Sequence, residues 1–250
     1  MAHALFQDLV VRLIRIQPSK ENTHIDIMKI VIDGNIGAGK TTQLNILEKK
    51  GFHVRREPIH EWPLELFYKD MSRWALTLQL AIMQTHQPYV TEDIMIYERN
   101  LLSCRYVFWE YLKANDHVKA IEDVIHERAY NTYHWLPDVY IFLSIDPEEA
   151  YEHIKSREGQ AGDSGISLEY LKEIHKLYSK LLMKVPCQVH VVKASGRTPE
   201  EIHKDISVIL SLYTKDGVHV RHSRRTKMQE TSSHRRPVLC APLPDMCRLS

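Results

Sequence analysis

Residues Gly34-Asn35-Ile36-Gly37-Ala38-Gly39-Lys40-Thr41-Thr42 satisfy G-x-x-x-x-G-K-[ST] and follow directly on the apolar run 30–32. A loop of this composition between a strand and a helix turns successive backbone N–H groups inward. There they hold phosphate oxygens, while a lysine and a hydroxyl-bound Mg²⁺ offset the charge. All nine residues, Gly34 to Thr42, are therefore expected to contact ATP or GTP, with Lys40 on the phosphates and Thr41 on Mg²⁺. An ordinary glycine turn is the plain alternative, and the strand-then-helix placement argues against it.

Strand-length apolar runs recur at 30–32, 52–55, 94–97, 139–144 and 189–192, separated by long segments of helical spacing. Such alternation predicts an α/β fold, a five-stranded parallel sheet with helices on both faces. Leu168, Leu171, Ile174, Leu177, Tyr178, Leu181 and Leu182 repeat at three- and four-residue steps, which gives one helix an apolar face. Asp146-Pro147-Glu148-Glu149 reads as a helix start, with an N-cap, an N1 proline and two first-turn acids.

A formal net charge of +1 gives no reason to expect nucleic acid or an anionic membrane as the main partner. No run approaches the roughly 18 apolar residues of a membrane span. The four cysteines form neither a CxxC pair nor a disulfide framework, which suits a reducing, cytoplasmic setting. Residues 1–27 are an N-terminal extension whose alternative reading is a mitochondrial transit segment, with Asp8, Glu21 and Asp26 counting against it. Past Tyr213 there is no aromatic residue, and Arg221, Arg224, Arg225, Lys227, Arg235 and Arg236 crowd together. Residues 214–250 are thus expected to be a disordered basic tail.

A phosphate loop alone does not separate a kinase from a switch or a motor. Two clusters narrow the choice. Arg56-Glu57-Pro58-Ile59-His60-Glu61-Trp62 follows the second strand, and functional groups collect at the carboxyl ends of strands in an open parallel sheet. Glu57 can then accept the proton of an attacking hydroxyl, and Trp62 can wall an apolar pocket. After the third strand, Tyr97-Glu98-Arg99-Asn100 offers Arg99 for charge on a transferring phosphoryl group and Glu98 for Mg²⁺. A structural Arg–Glu salt bridge is the competing reading of either cluster.

In combination these motifs, followed by E-R-N-x-x-x-C-R-Y-x-F, resemble the deoxyribonucleoside kinases over residues 28–213. The resemblance implies a P-loop kinase fold. It also implies Mg²⁺-assisted transfer of the γ-phosphoryl group of ATP to the 5′-hydroxyl of a deoxynucleoside, and a homodimer formed through helices. By motif, Glu57 matches the family's general base, a role also assigned to the position of Glu98, and Arg99 matches the arginine bridging acceptor and phosphates. Tyr68 falls where the family contacts the sugar 3′-hydroxyl, Gln79 (alternatively Gln84) reads the base edge, and Trp62 and Phe108 sandwich the ring. Lys155 and Arg157 stand for the cations of a lid near 155–166, and Asp163 for an acid reaching the sugar. Cys104 replaces an aspartate of relatives that favour deoxycytidine and purines, which leaves room for a 5-methyl group and points to thymidine and other pyrimidines. Thymidylate kinases continue R-E-P with G-G-T, unlike this chain; they and a catalytically idle nucleotide-binding protein are the rival readings.

Overall fold

In a computed structural model that describes residues 28–88, 92–156 and 165–214, all five apolar runs are strands. These are β1 (Met28–Gly34), β2 (His53–Arg55), β3 (Ile94–Glu98), β4 (Val139–Ser144) and β5 (Gln188–Lys193). They pair in parallel in the order β2-β3-β1-β4-β5. β1 and β4 are central and buried along most of their length, which is why they read as unbroken apolar runs rather than alternating ones. The edge strands β2 and β5 keep exposed positions.

The helices are α1 (Lys40–Lys49), α2 (Leu64–Lys69), α3 (Met71–Thr85), α5 (Ala120–Tyr133), α6 (Pro147–Lys155), α7 (Leu168–Leu182) and α8 (Pro199–Ser211). Between α3 and α5 lies α4, which starts as Leu101–Ser103, widens into a π-turn over Cys104–Phe108 and ends as Trp109–Ala114. The step from β1 to β2 crosses the sheet in one direction, and every later step crosses it in the other. Right-handed crossovers then put α1 on one face and α3 to α7 on the opposite face. The packing follows: α1 lies on β1, β2 and β3 with α8 beside it, while α7 packs against α4 and α6.

Local chemistry sets the helix ends. Thr198 and Glu201 form a reciprocal capping box at α8 with Pro199 inside it, and Ser167 accepts the Tyr170 N–H at 3.1 Å to start α7. Pro147, Glu148 and Glu149 open α6 as expected, but Asp146 caps nothing with its side chain; its own N–H donates to Ser195 Oγ at 2.7 Å instead. On α7 the buried face is Tyr170, Leu171, Ile174, Tyr178 and Leu181, each contributing about 1.5–3 kcal/mol of transfer free energy. A second apolar cluster of Trp62, Phe67, Ala75, Leu78, Trp109 and Leu112 lies beside the main core and walls the site described below. Among the described residues no helix is long and apolar enough to cross a membrane. Residues 1–27, the tail from 215, and the lid candidates Arg157 and Asp163 lie outside the described residues.

Candidate active site

Strand register brings the two clusters and the glycine loop to one edge of the sheet. Ile32 of β1 pairs with Glu98 of β3, and Tyr97 of β3 pairs with Arg55 of β2. Residues just beyond these pairs, Gly34, Arg99 and Glu57, therefore leave the sheet at one level, where the crossovers from β1 and β3 diverge to opposite faces. Arg99 and Glu57 border a cavity of about 330 Å³ that runs from Gly37, Gly39, Lys40 and Thr41 past Glu98 to Trp62, Tyr68, Gln79, Cys104 and Phe108.

The loop is held by its own side chains. Lys40 Nζ donates to the carbonyls of Gly34 (3.1 Å) and Asn35 (2.8 Å), and Asn35 Nδ2 ties the loop to the Leu171 carbonyl on α7 at 2.9 Å. Gly37 has φ +85° and its Cα lies so close to α6 that an added Cβ would stand 2.4 Å from the Ala150 carbonyl oxygen. Only glycine combines that backbone with that approach. Thr41 Oγ1 donates to Glu98 Oε1 at 2.7 Å. This pair of hard oxygens suits Mg²⁺, which takes one or two protein oxygens beside phosphate oxygens and waters.

Arg99 is the hub of the site. It holds a left-handed backbone (φ 59°), with its N–H on the Ile32 carbonyl at 3.0 Å and its own carbonyl 3.0 Å from His86 Nε2. The guanidinium pairs with Glu57 through Nη1, lies 3.5 Å from Asp33 Oδ1 and donates through Nε to the Tyr178 hydroxyl at 3.3 Å. It also stands 5.4 Å over the Phe108 ring. Arg56, the sequence neighbour of Glu57, turns away to Glu48 and Asn45 on α1, both at 2.7 Å. The ion pair that matters thus joins the two clusters rather than lying within either.

Crowding these charges together below the surface shifts their protonation. Burial pushes the Glu57 carboxyl up to about 7, with Glu98 and Asp33 adding to the push and Arg99 and Lys40 opposing it. Burial and Arg99 bring the Lys40 ammonium down to about 7, against Glu98, Glu57 and Asp33. Against the pull of burial, Glu57, Tyr178 and Asp33 hold the Arg99 guanidinium well above its ordinary value. A carboxylate poised near neutrality beside an obligate cation can take up a proton and return it.

Away from the charges the cavity is apolar. Trp62 is fixed by its Nε1–H on Thr85 Oγ1 at 2.8 Å, and Phe108 is reached from α4 because the π-turn rotates that helix's face. Gln79 is buried on α3 and accepts the Cys104 S–H at 2.7 Å, whereas Gln84 is exposed and does not line the cavity. Tyr68 lines the wall edge-on to Tyr170, and Gly165 approaches it so closely that a Cβ there would lie 2.4 Å from Tyr68 Cβ.

Some expected contacts stand apart. Lys155 pairs with Glu152 at 3.0 Å on an exposed face of α6 and does not line the cavity. Within the loop, Gly34, Asn35, Ala38 and Thr42 shape the turn without lining the cavity, while Ile36 does line it. Sequence reasoning missed Asp33, fully buried and accepting from Tyr140 OH (2.5 Å), Tyr178 OH (2.8 Å) and the Gly34 N–H (2.7 Å). Its signal was present: one acid closing the apolar strand Ile30-Val31-Ile32 just before the glycines. His86, Tyr170 and Tyr178 were missed as well, because positions on a helix or just after one look like ordinary core.

The model of the deoxynucleoside kinase family matches residues 30–213. The human protein named thymidine kinase 2, mitochondrial, is 31% identical over 186 residues, covering 67% of this chain and 69% of that one. Mus musculus deoxycytidine kinase is 26% identical over 210 residues, covering 66% of this chain and 79% of its own. Among solved structures, deoxyadenosine kinase from M. mycoides with the products dCMP and dCDP bound superposes with a TM-score of 0.66 at 25% identity, over 75% of this chain and 100% of that one.

Proposed function

The chain belongs to the deoxynucleoside kinase family, and on that premise we propose that it transfers the γ-phosphoryl group of ATP to the 5′-hydroxyl of deoxynucleosides, with thymidine and other pyrimidine nucleosides as acceptors. The observation that carries this reading is one cavity lined by Lys40 and Thr41 of the glycine loop, by the Glu57–Arg99 pair and by the apolar side chains of a slot.

In the proposed reaction the loop amides and Lys40 hold the donor phosphates. Thr41 and Glu98 hold Mg²⁺, which supplies charge neutralisation on those phosphates when bound. The nucleoside base enters between Trp62 and Phe108 with its edge toward Gln79, and Tyr68 borders the sugar. Glu57 Oε accepts the 5′-hydroxyl proton as the oxygen attacks, and Arg99 stays paired with Glu57 while stabilising charge on the moving phosphoryl group. Positioning and electrostatics supply most of the acceleration in such transfers.

Pyrimidine preference is supported by the small Cys104 side chain beside Gln79 at the end of the slot. The catalytic unit proposed is residues 28–213, with a lid near 155–166 that includes the stretch beyond Lys155. A homodimer is supported by Ile121, Val124 and Ile125, exposed at three- and four-residue spacing on one face of α5.

Radiolabelled γ-phosphate of ATP, offered with thymidine, deoxycytidine and thymidine monophosphate in turn, tests the assignment. Product from the nucleosides supports it. Product from the monophosphate alone would convert it to a thymidylate kinase, and saturable ATP binding with no product would make it a nucleotide-binding protein without catalysis.

A further inference from the structure

Among the described residues only Arg99 and Asp116 are left-handed without being glycine. A residue with a Cβ resists that conformation, at a cost of the same order as one hydrogen bond. At Arg99 two bonds hold it. Its N–H donates to the Ile32 carbonyl of β1, and its carbonyl accepts from His86 Nε2 at 3.0 Å. A carbonyl can only accept, so His86 carries its proton on Nε2. Burial lowers the pKa of the ring, against the pull of the Arg99 carbonyl, and leaves it neutral at working pH. Nδ1 then keeps a bare lone pair, buried and without a hydrogen-bond partner among the described residues. An apolar side chain would avoid that cost, so what the imidazole contributes here is its Nε2–H.

His86 is itself held in place. It is the C-cap residue of α3, and its carbonyl accepts the Trp135 Nε1–H at 3.1 Å. The Trp135 carbonyl in turn accepts from Asn100 Nδ2 at 2.9 Å, so the contacts close on the peptide that leaves Arg99.

We propose that His86 is a positioning residue: its Nε2–H holds Arg99 in the left-handed backbone from which the guanidinium reaches Glu57, and so sets the pairing of that cation with the carboxylate. The inference rests on the reading of Glu57 as general base given above. Without the donor the Arg99 carbonyl is unpaired, and the backbone relaxes toward negative φ, which swings the Cα–Cβ bond and carries the guanidinium away from Glu57. A shift of about 1 Å at such a group costs on the order of 10²-fold in rate. Glu57 faces Arg99 and Glu98 at the end of β3, Lys40 on α1, Asp33 on β1 and Cys104 on α4. Of these, Arg99 is the chief opponent of the upward push on its carboxyl, ahead of Lys40, so a displaced Arg99 lets that carboxyl rise further.

The test follows kcat, and the pH profile of kcat/KM at saturating ATP, for whichever deoxynucleoside the wild type phosphorylates fastest, in the wild type, His86→Leu, His86→Asn and His86→Gln. Glutamine places an amide N–H where Nε2 stands; leucine has no donor, and asparagine ends short of the carbonyl. The acid limb of the profile reports Glu57. In His86→Leu and His86→Asn, kcat should fall about 10- to 100-fold and the limb should move up by at least about half a pH unit. His86→Gln should keep kcat within about threefold and the limb within about 0.2 unit of the wild type. A loss of folded protein, or a loosened cavity wall, lowers the whole profile without moving its limb. If the leucine and asparagine variants do not fold, Trp135→Phe decides, since it removes the donor on the His86 carbonyl and leaves the imidazole; its limb should also move up. A limb unmoved in the variants that fold, or moved as far by glutamine as by leucine, would overturn the proposal. A wild type that phosphorylates no nucleoside, or whose profile has no acid limb, would instead overturn the reading on which the proposal rests, and the proposal with it.

Discussion

Replacing Asp33 by asparagine preserves the shape of a fully buried side chain and deletes its charge. The native carboxylate accepts three hydrogen bonds, from Tyr140 OH, Tyr178 OH and the Gly34 N–H, and lies 3.5 Å from Arg99 Nε. Downgrading charge-assisted bonds to neutral ones costs about 1 kcal/mol each, and the new NH₂ group must face donors, which forces a hydroxyl to turn. Arg99 also loses one of its two carboxylates. Removing a partner from a buried pair costs about 3–5 kcal/mol, reduced here because Glu57 remains. The expected total is about 3–5 kcal/mol, or a fall in Tm of about 6–20 °C for a domain of this size. Differential scanning calorimetry on the full chain reads it directly. Tyr178→Phe alone should cost about 1 kcal/mol, and the double variant should show a coupling of at least about 0.5 kcal/mol, because both side chains hold the same guanidinium. A fall below 2 °C for Asp33→Asn, or strict additivity in the double variant, would refute the view that Asp33 anchors Arg99.

Three further outcomes are expected. Gly37→Ala must give up either φ +85°, at about 1–2 kcal/mol, or the contact with Ala150; the KM for ATP should rise at least about tenfold while the KM for nucleoside changes little, as steady-state kinetics with each substrate varied will show. Gly165→Ala presses a methyl group into Tyr68 Cβ and Cγ and should do the reverse, raising the nucleoside KM about fivefold or more with the ATP KM unmoved. The Lys40 ammonium, brought from 10.5 to about 7 by folding, favours stability above 10.5 and forfeits that contribution as pH falls toward 7; Glu57, raised to about 7, favours stability below 4.5 and forfeits it as pH rises through 7. Together they leave the ligand-free site least stable near neutrality. ATP binding at pH 8 should therefore be accompanied by uptake of about 0.5–0.9 proton onto Lys40, measured by titration calorimetry in buffers of different ionisation enthalpy and absent from Lys40→Met.

The central strands were legible because burial on both faces writes them as apolar runs, and the glycine loop because its backbone conformation restricts composition. α7 was legible from its spacing, apart from Tyr170, whose hydroxyl disguises a buried cavity residue. Strand order was not, since it depends on the handedness of crossovers and on pairing between segments far apart in the chain. Within the site, Glu57 and Arg99 were each visible as the charged residue after a strand, but their pairing was not. The neighbour Arg56 was the plain partner for Glu57, and only the folded contacts show that it turns to α1 instead. Gln79 and Gln84 could not be separated by motif. Helical phase separates them, burying the first in the cavity and leaving the second exposed. The π-turn left no mark in composition, because an i→i+5 bond needs no special residue type.

Glu57→Gln tests the account most directly, because glutamine keeps the length of the side chain and its hydrogen bond to Arg99 while losing the capacity to take a proton. With nucleoside affinity measured alongside by equilibrium binding, kcat for phosphoryl transfer should fall about 10²- to 10⁴-fold and the Kd should stay within threefold. A kcat within threefold of the wild type would contradict the role given to Glu57 and pass it to Glu98.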